Sequence, residues 1–286
     1  MARTKAISLI SGGTTKVELA EVSGRVIENI QKDTLASGLK SQNYTGNPAL
    51  GSVEYKRFKN SASQEYGTAR TNNKGDAITA PPVTVNLDTH REIVEEAAKF
   101  DLDTFGVGNI MARRADNHVD SVAAELDTAF FLTAKSEGVK FTPTTADIEE
   151  IVEELINTLS TVKNDYVRGV PRNMMALVVD PVYYSKIRNY LDKNTNNANV
   201  DTAAEDFQII HGVKVYCSIN LPVTETETTH MVAMINGAIA QPVSIYPYKE
   251  PEKIPLSNDY AVSLFFDYGT KALTPDLIFH YTETNA

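Results

Sequence analysis

The chain has 286 residues, 42% hydrophobic and 22% charged, which is the composition of a globular protein long enough to bury a substantial core. It has no run of about 18 apolar residues and no apolar signal core near its start, so we expect neither a membrane span nor a secretory leader. The net charge of −10 argues against a protein that clamps nucleic acid tightly, because such proteins usually carry a basic patch. Any contact with DNA should therefore be weak.

The single cysteine, Cys217, cannot form a disulfide within the chain. It lies between Tyr216 and Ser218 in a run typical of a strand. We expect a buried structural thiol rather than a nucleophile, and a reducing compartment fits this expectation.

Residues 1–50 are poor in side chains that could form a core. Apolar residues from Val17 to Ile30 recur at helical spacing and predict a helix around 17–33, which Gly24 weakens. The rest of this region predicts an extended arm.

Residues 51–80 combine a strand pattern with a long polar stretch. Val53 and Tyr55 alternate with polar residues, and a second alternating run, 83–88, follows Pro81 and Pro82. The polar residues between the two runs have almost nothing to bury. We interpret the region as a two-stranded ribbon that projects from the body and needs a partner surface.

Helical periodicity predicts three further helices: 107–137 with Gly138 as its stop, about 145–163, and one that follows Asp180 and Pro181. Strand patterns dominate afterwards, at Met174–Val179, Ile209–Ser218, Met231–Ile235, Val243–Tyr246 and Tyr260–Phe266. The segment Lys193–Asp206 has no periodicity and predicts a loop.

Two motifs carry little chemical information. Asn73–Asp76 matches the N-K-x-D pattern that reads guanine in GTPases, but the sequence has no G-x-x-x-x-G-K-[ST] loop to hold phosphates. A turn in the ribbon is the favoured interpretation, and a nucleotide-binding enzyme stays open as an alternative. Asp116, His118 and Asp120 are close in sequence, but His118 should point away from the other two, which favours a solvated helix face over a metal site.

None of the five histidines shows the spacing of a metal site, and no nucleophile motif such as G-x-S-x-G occurs. We therefore expect no catalytic, cofactor-binding or metal-binding residues, and no enzyme activity.

Charge is distributed unevenly along the chain. The ribbon carries Lys56, Arg57, Lys59, Arg70 and Lys74, and acidic runs follow at Glu92–Asp103 and Asp147–Glu154. Such runs are usually solvated faces, but a basic ribbon without a core needs a surface to lie on. We therefore predict contacts between subunits. In these contacts the five basic residues meet an acidic set made up of Glu92, Glu95, Glu96, Asp147, Glu150 and Glu154.

The order of these elements resembles the major capsid proteins of tailed bacteriophages, which share the Hong Kong 97-type fold. The resemblance covers nearly the whole chain and depends on the ordered set rather than on one motif. The matching segments are Tyr66–Ile78 with Val83–Leu87 for the returning side of the extended loop, Asn109–Lys135 for the spine helix, His211–Pro222 and Ala233–Ala240 for axial-domain strands, and Tyr268–Pro275 for the closing hairpin.

The resemblance implies an α+β chain with five parts. These are an N-terminal arm at 1–50, an extended-loop ribbon at 51–90, a peripheral domain with the spine helix at 91–165, an axial domain at 166–245, and a return to the peripheral domain at 246–286. It also implies a structural protein that assembles through pentamers and hexamers into an icosahedral-type shell around double-stranded DNA. Such a shell belongs to the virion and is assembled in the host bacterial cytoplasm.

Several partners follow from the same resemblance. The chain would bind copies of itself, a portal protein and, in some systems, a decoration protein. The arm is too short for the cleaved scaffolding segment of many relatives, so we expect a separate scaffolding protein or none. The Asn-rich loop, with Asn194, Asn196, Asn197 and Asn199, would surround the capsomer axis.

Two implications of the family stay open. Some relatives join an extended-loop lysine covalently to a neighbour's asparagine, but the sequence does not identify the matching asparagine and glutamate, so we expect no cross-linking. An encapsulin-type nanocompartment shell, which encloses enzyme cargo, shares the fold and is the main alternative.

Overall fold

A computed structural model gives the structure of the chain and describes residues 13–71, 75, 77–99, 107–193, 208–248, 252–255, 257 and 259–285. The helices are α1 (Gly13–Asp33), α2 (Leu35–Leu39), α3 (Thr68–Thr71), α4 (Val107–Glu137), α5 (Ile148–Ser160) and α6 (Pro181–Lys193). Short 3-10 turns cover Pro48–Leu50, Arg172–Met174 and Pro275–Leu277.

The strands are β1 (Ser52–Lys56), β2 (Pro82–Asn86), β3 (Thr89–Ala97), β4 (Val139–Phe141), β5 (Met175–Val179), β6 (Ile209–Ile210), β7 (Val213–Cys217), β8 (Glu227–Ile235), β9 (Ile239–Ala240), β10 (Val243–Ile245), β11 (Glu252–Lys253), β12 (Tyr260–Tyr268), β13 (Lys271–Ala272) and β14 (Ile278–Thr284). The mixture of helices and sheets confirms the predicted α+β class.

A six-stranded sheet in the order β4-β14-β8-β5-β7-β6 forms the largest layer. The β14–β4 and β5–β7 pairs are parallel, and the other pairs are antiparallel. A second sheet centres on β12, which pairs with β3 on one edge and with β10 and β11 on the other. Two small pairs, β1–β2 and β9–β13, complete the described strands.

Strand β5 is buried along its whole length because the six-stranded sheet has helices on both faces. Leu177 and Val179 point to a core shared with α5 and α6. Ala176 and Val178 point to a core shared with Phe130 and neighbouring residues of α4. A continuous apolar run is the pattern expected of a strand covered on both faces, and the prediction of a strand here is confirmed.

Helix α1 packs on α4 within the same chain. Its buried Val22, Val26 and Ile30 join Val119 and other apolar residues of α4 in one cluster that also reaches β12. The predicted helix around 17–33 is confirmed. The expectation that residues 1–50 are poor in side chains that could form a core is wrong for α1, because its apolar face is buried against α4.

The extended arm expected after α1 is wrong at α2, Leu35–Leu39. The carboxylate of Asp127 on α4 accepts hydrogen bonds from the backbone N–H groups of Leu35 (3.2 Å) and Ala36 (2.9 Å). It thereby satisfies N–H groups that the first turn of a helix leaves without partners. A cap supplied from so far along the chain leaves no local signal in the sequence.

The predicted strand Ile209–Ser218 is divided by a tight turn. His211 (φ 48°) and Gly212 (φ 82°) form the two-residue connection, and Ile210 pairs with Val213 across it. Positive φ at both central residues is typical of the turn that suits the twist of a hairpin. Cys217, at the end of β7, is exposed, so the expectation of a buried thiol is wrong.

His118 on α4 is also placed differently from its prediction. It is buried, with Nδ1 2.7 Å from the hydroxyl of Tyr248 and Nε2 3.2 Å from a carboxylate oxygen of Glu95. The interpretation as a solvated face is therefore wrong for His118, although Asp116 and Asp120 are exposed. The neighbours that cover His118 come from other elements, so helical spacing alone could not reveal its burial.

Acid should destabilise the six-stranded sheet through His280 on β14. Burial lowers the pKa of this imidazole, and the charges of Lys135 and Lys140 lower it further against the opposing effect of Glu227. The folded chain thus favours the neutral ring, whereas the unfolded chain takes up a proton below its ordinary pKa of about 6.5. The folded chain therefore keeps its full stability above about pH 6.5, where His280 is neutral in both states, and loses stability as the pH falls below that value.

We expect the urea midpoint of the wild type to fall between about pH 7.5 and 5.5, and that of His280→Gln to fall less. Equal losses in the two proteins would remove His280 as the cause.

Candidate inter-subunit surface

The predicted ribbon begins as the antiparallel pair of β1 and β2, in register from Ser52 opposite Asn86 to Lys56 opposite Pro82. Both predicted strands are confirmed. Val53, Tyr55 and Val85 are buried against Ala240 in a small cluster, so the base of the ribbon is docked on its own chain.

A side-chain network fixes the ribbon just beyond β1. The guanidinium of Arg57 donates two hydrogen bonds to the carboxylate of Asp276, at 2.7 and 2.8 Å, and lies 4.3 Å from the ring centre of Tyr166. Asn164 donates a further hydrogen bond to Asp276 at 2.5 Å. We refer to Arg57, Asn164, Tyr166 and Asp276 as the ribbon clamp.

The ribbon clamp keeps Asp276 ionised. Burial by itself would raise the pKa of this carboxyl, but hydrogen bonds from Arg57 and Asn164, with the charge of Arg57, outweigh burial and the pKa is lowered. A bidentate pair between arginine and a carboxylate also fixes orientation, because the two planar groups match. The clamp therefore sets the direction in which the ribbon leaves the body.

The ribbon residues that follow Arg57 contact the loop that carries Asn164 and Tyr166 of the clamp. Lys59 pairs with Asp165 at 3.1 Å, and the N–H of Asn60 donates to the carbonyl of Asp165 at 2.8 Å. Arg168 donates to the carbonyl of Ser61 at 2.8 Å. Asp165 raises the pKa of Lys59 by hydrogen bonding and charge. The Lys59 pair is largely exposed, so it should contribute little to stability compared with the clamp.

The predicted basic residues therefore have different surroundings. Arg57 and Lys59 contact acids of their own chain, and Lys56 lies 3.6 Å from Glu54 with both side chains exposed. Arg70 belongs to α3, but its side chain lies outside the described residues, as does all of Lys74. Their contacts with a neighbouring subunit stay a prediction. For Arg57, such a contact has to compete with the ribbon clamp.

The predicted acidic partners divide into two groups. Glu95 is held by Arg114 at 2.5 Å, and Glu154 accepts hydrogen bonds from the N–H and hydroxyl of Thr144 at 3.0 and 2.7 Å. The hydrogen bond from Arg114 is the largest effect that lowers the pKa of Glu95. The other residues of the predicted set are exposed, on β3 or at the start of α5: Glu92, Glu96, Asp147 and Glu150.

Helix α5 also presents an acidic groove. Glu149, Glu150, Glu153 and Glu154 line an open depression of about 610 Å³ along its exposed face. The described ribbon residues do not reach this groove within their own chain. It therefore remains available as one of the two predicted landing surfaces.

The ribbon exposes apolar side chains as well as charges. Phe58, Tyr66 and Ile78 are 61%, 93% and 87% exposed. Strand β1 ends at Lys56, so Phe58 lies just beyond it. Large exposed apolar side chains are common at contact surfaces.

Some predicted features lie outside the described residues. They include the Asn-rich loop with Asn194, Asn196, Asn197 and Asn199, and all of Asn73–Asp76 except Gly75. Within the described part of the chain, no cluster of three histidine, cysteine, aspartate or glutamate residues could hold a metal ion. The helices described there include none with the length and apolar character needed to cross a membrane.

No protein-family model matches the chain, and no curated protein matches its sequence. Solved structures do match. A structure of Mycobacterium phage Che8 gives a TM-score of 0.59 at 16% identity, covering 85% of this chain and 93% of that one. The capsid structure of the cyanophage P-SCSP1u gives 0.62 at 12% identity, covering 88% of this chain and 89% of that one.

The virus-like particle from Pyrococcus furiosus gives a TM-score of 0.55 at 14% identity, covering 92% of this chain and 97% of that one. The likeness thus covers most of the chain rather than a single motif. The chain has the Hong Kong 97-type fold of capsid subunits, as its sequence implied.

Proposed function

We propose that the chain is the major capsid protein of a tailed bacteriophage and builds an icosahedral-type shell around double-stranded DNA through pentamers and hexamers. The observation that carries the proposal is a capsid fold over most of the chain, with 88% covered in the match to the cyanophage capsid. The exposed apolar and charged ribbon supports it, because such a surface suits contact with another subunit.

Purified chain should therefore form closed shells or ring-shaped capsomers in negative-stain electron microscopy. Light scattering should show a mass far above that of the 31.4 kDa chain. A monomer that stays monodisperse at high concentration, alone and after co-expression with the neighbouring genes of its source, would refute the proposal.

A nanocompartment shell is the second candidate, favoured by the match that covers 97% of the Pyrococcus furiosus virus-like particle subunit. The contents of the assembled particles distinguish the two candidates. Particles isolated from the natural source and treated with nuclease should retain DNA in the phage proposal. They should contain a folded protein cargo and little DNA in the alternative.

The remaining partners belong to the same proposal. A portal protein, a separate scaffolding protein and a decoration protein would bind the assembled shell, and the Asn-rich loop would gather around the capsomer axis. Covalent links between subunits are not expected. Purified particles would be separated on a denaturing gel. Mass spectrometry of the bands would identify such partners, and a ladder of high-mass bands would reveal cross-linked subunits.

A further inference from the structure

The pairing of the two sides of the ribbon continues past the end of β1. The N–H of Lys59 donates to the carbonyl of Thr79 at 3.0 Å, which keeps the register that places Lys56 opposite Pro82. Because side chains alternate between the two faces of a strand pair, each face of the ribbon can be followed residue by residue beyond β1. The two faces differ in composition.

One face of the ribbon is turned toward its own chain. It begins with the buried Val53 and Tyr55 of β1, which pack in the small cluster at the base of the ribbon. Arg57 and Lys59 continue this face at the same alternate spacing. The ribbon clamp holds Arg57, and Asp165 pairs with Lys59. The charges of the inward face are therefore already matched within one subunit.

The opposite face points away from the body and is mainly apolar beyond β1. Phe58 and Ile78 are largely exposed on it. The register places Phe58 opposite Ala80 and diagonally next to Ile78, so the three side chains are neighbours. Lys56 precedes Phe58 on the same face, and its 3.6 Å contact with Glu54 is exposed and weak. We refer to Lys56, Phe58, Ile78 and Ala80 as the outward ribbon face.

The second sheet also has one face that is packed and one that is open. Leu264 and Phe266 of β12 point to the core shared with α1 and α4. The alternate residues point the other way, and there Val94 of β3 is half exposed. Phe265 of β12 is partly exposed on this open face. Tyr246 lies beside it, because the N–H of Tyr246 donates to the carbonyl of Phe265 at 2.9 Å. We refer to Val94, Tyr246 and Phe265 as the outer sheet patch.

Acidic side chains flank the outer sheet patch on β3. Glu92 and Glu96 lie two residues before and two residues after Val94, so they share its face, and both are exposed. Residues on one face of a strand are about 6.6 Å apart, on the ribbon as on β3. A ribbon that lies along β3 with Phe58 over Val94 therefore brings Lys56 next to one of the two carboxylates in either direction. The two surfaces match in apolar contact and in charge.

The acidic groove of α5 is a poorer partner for this face. Its described lining consists of glutamate, threonine and asparagine side chains and contains no large apolar residue. It would pair with Lys56 but would leave Phe58 and Ile78 in water. A second outward ribbon face is also a poorer partner, because it would bring two copies of Lys56 together.

We infer that the outward ribbon face of one subunit docks on the outer sheet patch of a second copy of the chain. The inference rests on the proposal that the chain assembles with copies of itself, and it is independent of what the shell encloses. The inward face then fixes the ribbon to its own subunit, while the outward face carries the contact with the neighbour.

Cross-linking between introduced cysteines tests the contact. All variants carry Cys217→Ser, because the native thiol is exposed. A short bismaleimide is the suitable reagent, since packed sheets lie about 10 Å apart. In assembled particles, Phe58→Cys with Val94→Cys should give linked chains on a denaturing gel. The yield should be at least about fivefold above that of Thr79→Cys with Val94→Cys, because Thr79 lies on the inward face.

Three outcomes would overturn the inference. The first is an equal yield from the two pairs, and the second is an equal yield from Phe58→Cys alone, which would place one ribbon against another. The third is a link from Phe58→Cys to Glu150→Cys in place of Val94→Cys, which would move the contact to α5. If the wild type forms no particles, the shell proposal fails. The docking is then decided by the same cross-linking in the concentrated soluble chain, where absence of the link would overturn it.

Removal of the apolar side chains provides a second measurement. Phe58→Ser with Ile78→Ser should lower the assembled fraction by at least about tenfold in sedimentation, because both side chains lose apolar contact with the neighbour. Leu50→Ser with Met174→Ser is the matched control, since it removes two exposed apolar side chains outside the outward ribbon face. Equal assembly of the first variant and the wild type would contradict the inference.

Discussion

Asp276→Ala is expected to destabilise the chain by about 1–3 kcal/mol, because it leaves a partly buried guanidinium without its carboxylate. The side chain of Arg57 is 20% exposed and that of Asp276 is 30% exposed, so water replaces the lost pair only in part. Urea denaturation measures the loss. Hydrogen exchange should also become faster at the amides of Arg57–Asn60, which follow the clamp.

Asp165→Ala is the matched control. It removes a carboxylate from the same region, but Asp165 is 75% exposed and pairs with an exposed lysine, Lys59. The expected loss is below about 1 kcal/mol. A loss as large as that of Asp276→Ala would show that the clamp has no special role.

The Arg57–Asp276 pair also predicts how the stability of the chain depends on pH in acid. Because the folded pKa of Asp276 is lowered, its contribution is complete above the ordinary aspartate pKa of about 3.9 and is lost as the pH falls below it. Asp276→Ala should therefore lose less stability than the wild type on acidification into this range. Parallel losses would mean that other groups determine the acid limit.

Elements with a strong local pattern could be predicted from the sequence. The predicted bounds of α4, 107–137, agree with the structure because apolar periodicity and a stop signal coincide there. At Gly138, any side chain would collide with the carbonyl of Ala134 and with Ile278, so glycine is required where the helix ends. The buried run of β5 carried an equally clear signal.

Strand β3 shows what the sequence could not reveal. Four of its nine residues are charged, with Ile93 and Val94 as its central apolar pair, and it is a strand because β12 pairs with it from Thr89 to Ala97. A pairing between distant segments leaves no alternating apolar pattern in the acidic run itself, although its partner β12 does alternate buried and partly buried residues. The acidic run could therefore be predicted to be exposed, but not to form a strand.

The ribbon clamp was missed for a related reason. Arg57 and Asp276 are 219 residues apart, and no local motif links them. Asn164 shapes the loop that completes the clamp by accepting hydrogen bonds from the N–H groups of Tyr166 and Val167, both at 2.9 Å. The composition correctly indicated a basic ribbon, but which charges are already paired within the chain depends on tertiary contacts.

Shell formation should fail when the exposed charges of the ribbon are reversed. We expect Lys56→Glu with Lys59→Glu to leave the subunit folded and to reduce assembled particles at low salt by at least about tenfold. Each exposed pair contributes only about 0–1 kcal/mol, but the contact repeats around every capsomer and sets its register. Sedimentation and electron microscopy measure the assembled fraction, and circular dichroism checks the fold.

Arg57 is left unchanged in this variant because its reversal would also break the ribbon clamp. Adding Arg57→Glu should abolish assembly too, but with a loss of stability that the double variant does not show. Lys32→Glu with Lys214→Glu is the control, since it changes the net charge equally at two exposed lysines outside the ribbon. Added salt should weaken wild-type assembly through the same screening.

Charge reversal on the acidic side distinguishes the two predicted landing surfaces. If the ribbon lies on β3 of a neighbour, Glu92→Lys with Glu96→Lys should restore assembly to the Lys56 and Lys59 double variant. If it lies along α5, Glu150→Lys should restore it instead. If the double variant assembles as well as the wild type at low salt, charge does not hold the ribbon. The contact must then come from backbone pairing or from the exposed Phe58, Tyr66 and Ile78.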